Sequence, residues 1–418
     1  MSPRVDIKHI HGVPIALYKM SSIEVVVVTI DFKAGSYYEP HKNWGGVHFM
    51  EHMVHEGTKQ FPHRDALEYY KEEYAINQNA STSGQILSFE ANFPTVSLKE
   101  GFRVLSEIVT APTIPENELA KEKNVVTQEY RDKWSQPNNR FWKAKVSYLY
   151  GDSHFMTHDA LGQPEYVQSL TKKDVESIYQ DCVKRNTMSI TVVGNFEETE
   201  LEGLLTSFIA QVPEGSPQTL PVKKPQSKGT YLWHKEDMDK VSIDIAFLFD
   251  PRSEITKRDR MILLLGSYIL GGSPRSRIFR KLRGELGLVY SAGSMVMFGQ
   301  CASEFHLIAS TSLSDAKVAK EELLKALHTL KNVEITDEEF ERARKYLNLS
   351  TLTGYDSPYR ISDNISGELF FDGTVIPPQE IISLVNTIQK EEIAMLYKKY
   401  VSNDPIVMVM AKEDPKLQ

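Results

Sequence analysis

Residues 44–58 read WGGVHFMEHMVHEGT, with His48 and His52 four apart and Glu51 immediately before the second histidine. On an α-helix the two imidazoles project from one face, one turn apart. Glu51, three after His48, falls on the flank of that face. This pattern suits two ligands of one metal ion and a carboxylate that takes a proton from a metal-activated water. The competing reading is a half-exposed helix whose histidines cap or hydrogen-bond locally. Val47, Phe49, Met50 and Met53 weigh against it. They set the histidine face close to apolar packing, where two imidazoles and a carboxylate without partners would cost several kcal/mol.

A catalytic zinc usually takes three protein ligands and keeps one position open, so a third ligand must come from another element. The helical pattern ENELAKEKNVVTQEYRDKW (116–134) offers Glu122 and Glu129, seven apart and so two turns along one face. Either glutamate could instead pair with a nearby lysine on a solvated face. Composition does not choose between them.

Working outward, Asn43 and the pair Gly45-Gly46 open the histidine helix, and Gly57 closes it. Upstream, VPIALYK (13–19) and IEVVVVTIDFKAG (23–35) read as two strands joined by a tight turn. Downstream the pattern predicts a helix near 64–74 and two strands around Ser83-Gly84. Helices follow near 97–110, 115–135, 138–149 and 171–184, then a strand over TMSITVVGNF (187–196) and a helix to about 211. Between 212 and 230 the chain reads VPEGSPQTLPVKKPQSKGT, which has no hydrophobic periodicity and marks a linker.

Beyond that stretch the order of elements repeats. VSIDIAFLFDP (241–251) mirrors the strand at 23–35, and RDRMILLLGSYILGG (258–272) stands where the histidine helix stood. Two paired strands and a helix at 314–330 follow. The predicted architecture is α+β: a duplicated domain, each copy a mostly antiparallel sheet packed with helices. The copies occupy 1–211 and 231–418, joined by 212–230. The second has no counterpart of His48, Glu51 and His52.

Composition narrows the function classes. The 418 residues carry a net charge of −8, which leaves no electrostatic footprint for nucleic acid or anionic lipid. No apolar run approaches the ~20 residues that span a bilayer, and the N-terminus lacks a signal-peptide or presequence pattern. Cys182 and Cys301 lie far apart and suggest no disulfide framework. A reducing, cytoplasmic setting is expected, with no membrane and no nucleic-acid partner.

HFMEH is the H-x-x-E-H order of the inverzincins. With its surroundings it resembles the pitrilysin or insulinase-type zinc metallopeptidase family, which includes the mitochondrial processing peptidases. The stretches that carry the resemblance are AGSYYEPHKNWGGVHFMEHMVHEGT (34–58), NASTS (79–83), EKNVVTQE (122–129), LTKKDVESIYQDCVKRNTMSITVVGNF (170–196) and ILGGSPRSRIFRKLRGELGLVYS (269–291). They span nearly the whole chain, at the length of the family's short two-domain members.

The resemblance implies that Glu129 closes a ligand set with His48 and His52 around one Zn2+ per chain. It makes Glu51 the general base and Glu122 a supporting glutamate behind the ligands. It also implies that Arg283 and Tyr290, seven apart in RGELGLVY, contact the peptide near its scissile bond. Read alone, Tyr290 could be a core aromatic and Arg283 an ion-pair partner of Glu285. NASTS read alone is a polar turn; by resemblance it is a sheet edge to which an extended peptide adds, with Asn79 and Ala80 as contacts.

One departure is visible, at His55 and Glu56. His55 is rejected as a further ligand because solvent must keep the fourth position, and is expected to face solvent or tune the pocket. The expected function is a zinc-dependent endopeptidase of peptides or unfolded segments, working as a homodimer or as a heterodimer with a paralogue. The alternative is a non-catalytic scaffold or partner subunit. Such subunits typically lose the H-x-x-E-H residues or the Arg/Tyr pair, and this chain keeps both.

Overall fold

A computed structural model describes residues 5–40, 44–216, 220, 225, 229–332, 335–401 and 404–418. Asn43, expected to open the histidine helix, lies outside the described residues, as does much of the expected linker at 212–230. Six strands build the first sheet: β1 (Val5–Ile10), β2 (Val13–Lys19), β3 (Val25–Lys33), β4 (Asn77–Thr82), β5 (Ile86–Pro94) and β6 (Met188–Gly194), in the order β1-β2-β6-β3-β5-β4. Every neighbouring pair is antiparallel except β2 with β6.

Two features depart from the sequence reading. β2 and β3, although joined by a short turn, are not partners, because β6 lies between them and pairs with both. The hairpin partner of β2 is β1, closed by the two-residue loop His11-Gly12 with φ of 48° and 81°. Two positive φ values are what a tight two-residue hairpin demands, and glycine meets the second at no steric cost.

In β3, Val26, Val28, Ile30 and Phe32 alternate onto one face. That face packs against helix α1 (Gly46–Met53) through Val47, Phe49, Met50 and Met53, and its core extends to Phe102, Leu105, Ile108 and Val109 of a later helix. Each such side chain, removed from water, contributes roughly 2 kcal/mol. The other helices of this half are α2 (Arg64–Glu73), α3 (Leu98–Thr110), α4 (Leu119–Ser135) and α5 (Pro137–Tyr150), before a further three.

The second sheet holds β7 (Tyr231–Lys235), β8 (Val241–Phe249), β9 (Val289–Met297), β10 (Ser303–Thr311) and β11 (Ile406–Ala411), in the order β7-β11-β8-β10-β9. Counting β2 to β6 as first to fifth, the first sheet runs first, fifth, second, fourth, third; β7 to β11 run in the same order. The α+β duplication is therefore a repeat of topology, with β1 as an added edge.

The units themselves are not contiguous halves. One comprises residues 1–135, 158–221 and 354–377; the other comprises 136–157, 222–353 and 378–418. Two segments change sides, each for a physical reason. The helix Pro358–Asp372 carries Ile361, Ile365 and Leu369 along one face, and these cover Ala16, Tyr18 and Val193 on the first sheet. Helix α5 instead brings Lys145 to Asp244 at 2.5 Å and the Tyr150 hydroxyl to Glu304 at 2.6 Å on the second sheet. His306 bridges those two carboxylates through its two ring nitrogens, at 2.7 and 2.9 Å. No helix among the described residues is long and apolar enough to cross a membrane.

Candidate metal centre

Helix α1 is pinned at its start by Glu39. Its carboxylate accepts from the Gly45 amide at 2.9 Å and the Val47 amide at 2.6 Å, satisfying orphan donors of the first turn. Burial pushes the Glu39 carboxyl up to about 8, against the pull of those amides. Sequence reasoning passed over Glu39. The signal available was a helix opening on Gly45-Gly46 with no side-chain cap of its own.

From that helix His48 and His52 project together, their ring centroids 4.8 Å apart. Glu129, on α4, brings one oxygen to 3.7 Å from the Nε2 of each histidine. The ligand atoms of His48, His52 and Glu129 all lie within 4.8 Å of one another. Glu122, two turns earlier on α4, meets the other side of the His52 ring, at 3.1 Å from Nδ1. A carboxylate only accepts, so that contact holds the proton on Nδ1 and leaves Nε2 as a lone pair. The glutamates that sequence left undivided thus address opposite nitrogens of one imidazole.

The donor set fits a divalent cation. Burial, then the neighbouring His52, pushes His48 down to about 3, so its ring stays neutral. The rings of His48 and His52 and one carboxylate oxygen of Glu129 thus converge on one point, each offering one ligand atom. Two Nε2 atoms and one oxygen are the nitrogen-oxygen set that zinc accepts. Burial opposes the charge of His52, but the Glu122 hydrogen bond and the charges of Glu129 and Glu51 outweigh it and raise its pKa. The His52 hydrogen bond in turn lowers Glu122.

Glu51 is 8% exposed. Burial raises its pKa, with the Thr82 hydroxyl opposing, and that hydroxyl donates to Oε2 at 2.5 Å. His55 is half-buried, with both ring nitrogens engaged. Its Nδ1 donates to the Glu51 carbonyl at 2.7 Å, and its Nε2 meets the Gln78 amide at 3.1 Å. Glu56 is buried and paired, with Arg64 at 2.7 Å and Lys121 at 3.3 Å; Lys121 continues to Glu122 at 3.5 Å. This charged chain behind the site was not visible in the sequence, because its members lie on three separate elements.

Strand β4 is an outer strand, and among the described residues no strand pairs with its other edge. Asn79 is exposed, while Ala80 packs on the first core. In the second unit, Tyr290 is 58% exposed and not a core aromatic. Lys240 stands over its ring at 4.3 Å. Arg283 is exposed and gives Nη1 to the Val289 carbonyl at 2.9 Å. Glu285 is taken by Lys281 and Arg280.

Residues 15–159 match the insulinase domain of Peptidase family M16, and residues 169–347 match the domain described as Peptidase M16 inactive domain. An uncharacterized zinc protease of Rickettsia felis is 23% identical over 404 residues, covering 97% of this chain and 96% of its own. The probable mitochondrial-processing peptidase subunit beta of Schizosaccharomyces pombe is 25% identical, with coverage of 95% and 89%. A solved Peptidase M16 inactive domain from Pseudomonas fluorescens superposes with a TM-score of 0.86 at 18% identity, covering 98% of each chain. A protease from Helicobacter pylori gives 0.84 at 17%, covering 98% and 99%. Two domains of one family, in their expected order, account for residues 15–159 and 169–347, and the chain belongs to Peptidase family M16.

Proposed function

We propose that the chain is a zinc-dependent endopeptidase acting on peptides or unfolded polypeptide segments. The observation that carries this reading is the convergence of His48, His52 and Glu129 within 4.8 Å, with the Glu51 carboxylate on the same helix. Zinc held by those three side chains, one ion per chain, would acidify a water molecule and polarise the scissile carbonyl. Glu51 takes the proton at a carboxylate oxygen and returns it to the departing amine nitrogen. Glu122 keeps His52 in the tautomer that presents Nε2.

Asn79 and Ala80 receive the substrate as an added strand on the outer edge of β4, which gives affinity through main-chain hydrogen bonds. Arg283 and Tyr290, both exposed on the second unit, suit a carbonyl oxygen that gains negative charge. A homodimer, or a heterodimer with a paralogue, completes the assembly. Cys182 and Cys301 are both buried and share no disulfide, which fits a reducing, cytoplasmic setting.

The test is cleavage of a quenched fluorescent peptide by the purified protein. Hydrolysis is expected, lost with a chelator and restored by added zinc. Cleavage that ignores the chelator would remove the metal from the reaction, and no cleavage at all would return the chain to a scaffold or partner role.

A further inference from the structure

The edge strand and the histidine helix are joined by side chains at two points. At one, the Gln78 amide donates to His55 Nε2 and, at 2.9 Å, to the Asn79 carbonyl, while His55 Nδ1 donates to the Glu51 carbonyl. At the other, the Thr82 hydroxyl donates to Glu51 Oε2. Residues 78, 80 and 82 share one face of β4 by the alternation of a strand, and that face meets α1. The burial pattern agrees: Gln78 is buried and Ala80 and Thr82 are half-buried, while Asn77, Asn79 and Ser81 are exposed.

We propose that Thr82 is the positioning residue of Glu51. Its hydroxyl occupies Oε2, and Oε1 carries no hydrogen bond among the described residues, so one oxygen is held while the other is left to work. A carboxylate on a flexible side chain otherwise samples several rotamers, and a misplacement of about 1 Å costs on the order of 100-fold in rate. The strand that holds Thr82 is also an outer strand, and among the described residues no strand pairs with its other edge. A peptide pairing there would be registered, through the same backbone, against the base that acts on it. The role rests on the proposed peptidase reading.

Thr82→Val keeps shape and β-propensity and removes the donor; Thr82→Ser keeps the donor. With the zinc-loaded protein and the fluorescent peptide, Thr82→Val is expected to lower kcat by about 10- to 100-fold, with KM within about twofold and zinc content unchanged. Thr82→Ser should recover most of kcat. A second measurement, on metal-free protein, is the urea midpoint. Thr82→Val should shift it less when Glu51 is already alanine than in the parent chain. Equal midpoint shifts in both backgrounds, unchanged kcat in Thr82→Val, or failure of serine to rescue would each overturn the role. A parent protein without chelator-sensitive cleavage would sink the peptidase reading instead, and the urea comparison would still judge the Thr82–Glu51 contact.

Discussion

In both units a helix lies against the outer strand of its sheet, and the two junctions are built from opposite materials. In the first, α1 meets β4 through Thr82–Glu51 and Gln78–His55, hydrogen bonds around a half-buried charged site. In the second, the helix Lys257–Gly271 meets β9 by close approach. A Cβ added to Gly271 would lie 2.2 Å from the Ser294 amide nitrogen, and Ser294 donates to the Ser267 carbonyl at 2.8 Å. Where α1 carries His48, Glu51 and His52, this helix buries Leu263, Leu265 and Gly266. The same strand order therefore supports either a buried carboxylate beside two histidines or a glycine-and-serine contact, and the choice rests with a few side chains. The first junction joins its elements through ionisable side chains; the second joins them through glycine contact and serine hydroxyls.

The sharpest way to break this contrast is Glu51→Gln, which keeps shape and hydrogen-bond capacity but not basicity. Turnover of the fluorescent peptide is expected to fall on the order of 1,000-fold, with zinc retained by metal analysis. Wild-type turnover at equal zinc would remove Glu51 from the reaction. The reciprocal change is Gly271→Ala, which forces a methyl against the backbone of β9. It should destabilise the protein by about 1–3 kcal/mol in urea unfolding without altering zinc content. A neutral result would mean that the helix can slide on its sheet. Smallest in scale, Tyr290→Phe removes a hydroxyl from the exposed side of β9. A loss of about tenfold in kcat, near 1.4 kcal/mol, is expected with zinc unchanged. Kinetics identical to the parent chain would leave Tyr290 as a surface residue beneath Lys240.

Much of this was legible in the sequence because it is local. The period of α1, the strands around Ser83-Gly84, and the repeat of element order all depend on residues near one another. The histidine pair needed only the geometry of one helix. Glu122 and Glu129 marked the limit: one face of α4 presents both, and only the three-dimensional placement of the His52 ring assigns each to a nitrogen. Glu39 and the Arg64–Glu56–Lys121–Glu122 chain lay beyond reach, since they join elements whose approach no periodicity encodes. Thr82 was not singled out in the sequence, because its partner Glu51 lies on another element. The insertion of β6 between β2 and β3 is likewise a long-range pairing, invisible to hydrophobic pattern.

The exchange of segments 136–157 and 354–377 has an outcome for how the polypeptide can be divided. A fragment ended in the proline-rich stretch would lose the helix that covers Ala16, Tyr18 and Val193, baring an apolar patch that invites aggregation. The complementary fragment would keep Asp244, His306 and Glu304 but lack the lysine and tyrosine that neutralise and cap them. Neither piece would keep its unit complete, so a division of the chain that respects the units must cut around both exchanged segments.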